Sequence, residues 1–91
     1  MNQIAYFNTT GFATISQNTG SVEGGTEIEI NLIAFSEAPT FVSFGGMPAT
    51  IVTATTGKVI IITPKHNKGI VDVVISNYKQ NKTFNHAFSY K

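Results

Sequence analysis

The chain has no cysteine in its 91 residues, so it can form no disulfide and offers neither a thiolate metal site nor a catalytic thiol. Tryptophan is absent too, and there are three tyrosines, which leaves few of the exposed aromatic platforms on which sugar rings commonly rest. Charge is scarce: Asp, Glu, Lys and Arg make up 12% of the residues, about half the usual share of a soluble domain. A formal net charge of +1 from six basic and five acidic residues gives no electrostatic footprint for a phosphate backbone, so no nucleic-acid partner is expected. No apolar run approaches the roughly 18 residues that span a bilayer, and Met1-Asn-Gln-Ile-Ala-Tyr-Phe7 lacks the basic start and apolar core of a signal peptide. Membrane insertion is therefore not expected. Helical periodicity is missing as well, because Gly or Pro interrupts the longer windows and apolar residues alternate.

What is present is a β-rich chain of one-domain size whose polar surface comes from Thr, Asn and Ser. Period-two patterning predicts strands over Phe12 to Ser16, Glu27 to Ile33, Thr40 to Phe44, Ala49 to Ala54, Lys58 to Thr63, Ile70 to Ser76 and Phe84 to Tyr90. The pattern is that of an all-β, immunoglobulin-like sandwich of about seven antiparallel strands in two sheets. Alternation turns Ile28, Ile30 and Leu32 inward and Glu27, Glu29 and Asn31 toward water. Asp72 marks the outer side of its strand and so sends Val71, Val73 and Ile75 to the core; the last strand sends in Phe84, Phe88 and Tyr90. Gly24-Gly25, Gly45-Gly46 and the Asn67-Lys68-Gly69 turn supply the backbone freedom for tight reversals, while Pro39, Pro48 and Pro64 belong at strand ends or edges.

The order of these features resembles an IPT/TIG domain. The resemblance is carried by Ile15-Ser16, Gly20, Gly24-Gly25-Thr26, Ile28, Ile30, Phe35, Val42-Ser43-Phe44-Gly45-Gly46, Pro48-Ala49, Thr63-Pro64, Gly69, Val71-Asp72-Val73 and Phe88-Ser89-Tyr90. It implies an early-set immunoglobulin-like fold over residues 12–91, preceded by residues 1–11 as an N-terminal arm or extra edge strand. Two departures stand out: Gln17 where the family usually has proline, and Leu32-Ile33-Ala34 where it usually has Gly and a short polar residue before the Phe. If Leu32 fills the core, Ile33 lies outside.

A search for chemistry yields no catalytic, cofactor or metal site, and no enzyme activity is expected. His66 and His86 have no Asp, Glu or Cys at metal-ligand spacing; the first is read as a solvated turn residue and the second as an edge-strand packing residue. Glu27 and Glu29 share a solvent-facing strand side, where solvation is the simpler reading than cation binding or acid and base work. No glycine-rich stretch opens a helix to cradle phosphate. Asn8-Thr9-Thr10 and Asn81-Lys82-Thr83 match the N-glycosylation sequon.

The remaining signal is surplus apolar surface. With their strand neighbours facing the core, Phe41, Ile70 and Val74 point outward from adjacent strands of one sheet and form a candidate protein-contact patch, while Ile60 and Ile62 face outward on the other sheet. In the segment before the domain, Ile4, Tyr6 and Phe7 are candidate arm contacts, able to pair at a sheet edge, cover the patch or reach a neighbour. The expected function is a non-catalytic module for protein contact, through a sheet face or edge, to a partner or to itself. It would serve as a spacer or adhesion unit of a surface protein or as a small structural subunit, with an extracellular, cell-surface or virion-surface location favoured. The alternative is a carbohydrate-binding accessory module with Tyr78, at the tip of the Asn77 to Lys82 hairpin, as its platform. DNA contact, which the family's history includes, finds little support in the charge.

Overall fold

The computed structural model describes residues 5–6, 13–33 and 35–91. They form ten strands: β1 (Ala5–Tyr6), β2 (Ala13–Ile15), β3 (Thr19–Gly20), β4 (Glu27–Leu32), β5 (Phe41–Phe44), β6 (Met47–Pro48), β7 (Thr50–Ala54), β8 (Lys58–Ile62), β9 (Gly69–Ser76) and β10 (Asn81–Tyr90). The first sheet runs β1-β2-β4-β8-β7 and the second β3-β10-β9-β5-β6. This is the immunoglobulin-like sandwich expected from the alternation. The three strands beyond the expected count, β1, β3 and β6, are two residues each, too short for any period to show.

One pairing departs from the antiparallel expectation. After β2 the chain jogs through Ser16, Gln17 and Asn18 into the opposite sheet, where β3 runs parallel to the end of β10. Amide groups of Ser89 and Lys91 donate to the carbonyls of Asn18 and Gly20, each at 2.9 Å. Strand switching lets one segment close both sheets, and a crossing chain meets the second sheet in whatever direction it travels. Gln17 spans the jog by donating from Nε2 to the Thr19 carbonyl at 2.7 Å, so a side-chain bond works where a proline would have fixed the backbone.

The inner faces follow the period-two pattern. Ile28, Ile30, Val42, Phe44, Val59, Ile61, Val73, Ile75 and Phe84 are wholly excluded from solvent, and burying each such side chain contributes about 1.5–3 kcal/mol before chain entropy is counted. Phe44, Phe88 and Tyr90 form an edge-to-face chain with centroid separations of 5.0 and 5.1 Å, the arrangement that ring quadrupoles favour. Leu32 is buried and Ile33 exposed, as the alternation requires.

Two turns depend on glycine. Gly45 and Gly46, at φ 60° and 86°, join β5 to β6 in a two-residue hairpin whose primed geometry needs positive φ at both positions. Gly24, at φ 77°, passes so close to the following loop that a Cβ there would lie 2.7 Å from the Lys65 amide nitrogen.

Candidate functional site

The outer wall of the second sheet is built by β9, flanked by β5 and β10. On β9 the core-facing Val71, Val73 and Ile75 alternate with Ile70, Asp72 and Val74, which face outward. Phe41 stands opposite Ser76 and Ser43 opposite Val74, which makes Phe41 a diagonal neighbour of Val74. Ile70 lies six residues along β9 from Ser76, roughly 20 Å at strand rise, with Asp72 between it and Val74. Phe41 is 45% and Ile70 64% exposed, so the apolar surface occupies two ends of the wall with one carboxylate at its middle.

That middle is shaped by β10. Phe84 pairs with Val73 and Phe88 with Val71, so Asn85, His86 and Ala87 together oppose the single residue Asp72. The two additional residues form a bulge, and His86 takes φ 53°, a left-handed conformation that costs of the order of 1 kcal/mol outside glycine. The bulge is held from across the ladder: the His86 amide donates to Asp72 Oδ1 at 2.9 Å. On the other side of β9, the Gly45 amide donates to the Asp72 carbonyl at 2.8 Å. Asp72 thereby ties β5, β9 and β10 together.

Strict alternation from Phe84 to Phe88 would put His86 against the core, where an imidazole without a partner is costly. The bulge removes the conflict by burying Ala87 and exposing His86. The expectation that His86 packs on an edge strand is thus corrected.

His66 is corrected in the opposite sense. It is half-buried, and its ring stacks on Tyr90 at 5.1 Å and 19°. Nδ1 lies 2.8 Å from the Asn67 carbonyl; a carbonyl only accepts, so Nδ1 carries the hydrogen and Nε2 of the neutral ring presents a lone pair. Nε2 points over Gly45, where a Cβ would come within 2.5 Å of it. Beneath it, the Tyr90 hydroxyl donates to the Pro64 carbonyl at 2.7 Å. Burial lifts that phenol from its ordinary 10.0 to about 12.

An open trough of about 520 Å³ lies on this wall, where Ile70 and Val74 meet His66, Asp72, Thr83 and His86. Sequence distance hid this gathering, since the contributing positions come from four separate segments. Among the described residues no group of three or more His, Asp or Glu is placed to hold a metal ion.

The other candidates lie elsewhere. Tyr78 is 86% exposed on a turn fixed by Asn77, whose Oδ1 accepts from the Lys79 and Gln80 amides at 2.8 and 2.7 Å while Nδ2 donates to the Glu37 carbonyl at 2.9 Å. Ile4 and Phe7, and the side chain of Tyr6, lie outside the described residues; the backbone of Ala5–Tyr6 pairs with β2. On the first sheet Glu29 forms an ion pair with Lys58 at 3.6 Å, and Ile60 and Ile62 are half-buried.

Residues 12–90 match the IPT/TIG domain family. The chain belongs to that family. IPT/TIG domains are immunoglobulin-like, non-catalytic modules that typically mediate contact with protein or DNA. No curated protein matches this IPT/TIG chain in sequence. Its family membership agrees with the two-sheet architecture and directs attention to outer walls, rims and edges as the places where an IPT/TIG domain meets other molecules.

Proposed function

We propose that this IPT/TIG domain is a non-catalytic protein-contact module that uses the outer wall of its second sheet. The observation that carries the reading is the exposure of Phe41 and Ile70, with half-buried Val74 between them, on a wall whose central strand bears one carboxylate. Apolar side chains placed this way gain from being covered, at about 25 cal/mol per Å² removed from water. Six lysines set against five carboxylates leave no positive excess for a phosphate backbone, which favours protein over DNA. The module would act as a spacer or adhesion unit of a surface or virion protein, or as a small structural subunit.

Light scattering across a concentration series tests the self-associating form of the reading. The apparent mass of the wild-type chain should rise with concentration, and Phe41→Ser combined with Val74→Ser should abolish the rise. A concentration-independent monomer in both would remove self-assembly through this wall.

Sugar binding is the second reading, favoured by the exposure of Tyr78 on a turn already rigid. Retention on polysaccharide columns that disappears with Tyr78→Ala would support it; unchanged elution of the wild-type chain would end it.

A further inference from the structure

The trough on the outer wall has a definite chemical character. Asp72 supplies the one formal charge among its lining residues when the histidines are neutral. Its Oδ1 accepts the His86 amide, yet a carboxylate offers about four lone-pair sites, so it retains acceptor capacity. The His66 ring, its Nδ1 at 2.8 Å from the Asn67 carbonyl, closes the end of the trough beside Gly45. The apolar lining is aliphatic, Ile70, Val71 and Val74, with no Phe, Tyr or Trp ring of the kind on which sugars commonly stack. Lys65 lies in a separate hollow that shares only His66 with the trough, and among the described residues no lysine lines the trough.

We propose that the trough receives a basic side chain, arginine or lysine, presented by a protein partner. Its aliphatic stem lies along Ile70 and Val74, and its cationic head sits on the free acceptor sites of the Asp72 carboxylate. Such a side chain has donors only and an apolar stem, the complement of a carboxylate with spare acceptor sites beside an aliphatic strip. A volume of about 520 Å³ falls within the range of small-ligand sites and is open, so a side chain projecting from another surface enters without a lid. The carboxylate is preorganised: its strand is pinned by Gly45 on one side and by the bulge on the other, which lowers the ordering cost of binding.

The inference rests on the outer wall being a protein contact, and it adds the partner's chemistry. It is tested on the full chain by amide-resolved NMR titration with a capped Gly-Arg-Gly peptide, against the same peptide carrying citrulline, which keeps the shape without the charge. The arginine peptide should shift the amides of Ile70, Asp72, Val74 and His86, and the citrulline peptide should bind at least about tenfold more weakly. Asp72→Asn keeps an oxygen for the His86 amide while removing the charge, and should weaken the arginine peptide by a similar factor with the rest of the spectrum unchanged. Equal response to both peptides, indifference to Asp72→Asn, or shifts centred on Tyr78 would overturn the inference. If the arginine peptide fails while Phe41→Ser with Val74→Ser still abolishes self-association, this inference falls and the contact reading stands.

Discussion

The outer walls of the two sheets differ although their inner faces obey one rule. On the first sheet β4 presents Glu27, Glu29 and Asn31 beside Lys58, Ile60 and Ile62 of β8, and charge is answered locally by the Glu29–Lys58 pair. On the second, Asp72 stands alone between apolar ends, and its partners are backbone amides of the neighbouring strands. Each sheet also carries a bulge, but in different places. In β7 the irregularity falls between Ile51 and Thr53 on an outermost strand, whereas in β10 it faces the middle of β9 and opens a trough. The fold constrains what points inward; the position of an inserted residue decides where the outside becomes concave.

The contrast between faces is broken most directly at Phe88. Phe88→Ala removes a ring packed against both Phe44 and Tyr90 and should cost about 3–5 kcal/mol in urea denaturation, whereas Phe41→Ala on the outer wall should cost no more than about 1 kcal/mol. Comparable losses at the two positions would mean that Phe41 is also core.

Next in size is an alkaline effect confined to the end of the second sheet. The folded-state value of Tyr90 lies above its unfolded value, so its contribution is fully present below pH 10 and is lost as pH climbs toward about 12. Screened by solvent at a part-buried hydroxyl, the shift corresponds to no more than about 1–2 kcal/mol. Tyr90→Phe should lack this component while losing about 1 kcal/mol at neutral pH with the Pro64 hydrogen bond; denaturation midpoints of both chains at neutral pH and near pH 11 measure the difference.

A smaller effect sharpens the comparison of the bulges. His86→Gly relieves a positive φ and should raise stability by about 0.5–1 kcal/mol, read as a higher thermal midpoint. A decrease would show that the imidazole itself makes a stabilising contact.

Smallest is the charge pair of the first wall. Glu29→Gln should change stability by less than about 0.5 kcal/mol, with the difference vanishing in high salt, because both members are well exposed.

How much of this was legible in the residues varies by element. The inward sets on β4, β8 and β9 were readable because each strand runs five residues or more and one two-residue burial rule governs its length, with Glu27, Glu29 and Asp72 marking outer sides. β3 and β6 were not, because two residues carry no period. Phe41, Ile70 and Val74 were identifiable as outward by exclusion, and Asp72 between the last two by its charge; that Phe41 sits beside Val74 and far from Ile70 follows only from the register of β5 against β9. His86 was misread because a bulge is invisible to a strict two-residue rule. Its one trace in the sequence is an imidazole sitting between two phenylalanines at core-facing spacing, a local conflict that points to irregularity.

By itself the sequence determined the layered β architecture, the inner faces, the glycine turns and the kinship with IPT/TIG domains, since each depends on residues near one another along the chain or on a fixed order of short motifs. Tertiary structure alone decided that His66 lies on Tyr90, that Asp72 holds the bulge of β10, and that both histidines border one trough. Those relations join residues from different strands and loops, and their geometry is set by strand register and inserted residues, which no local pattern encodes.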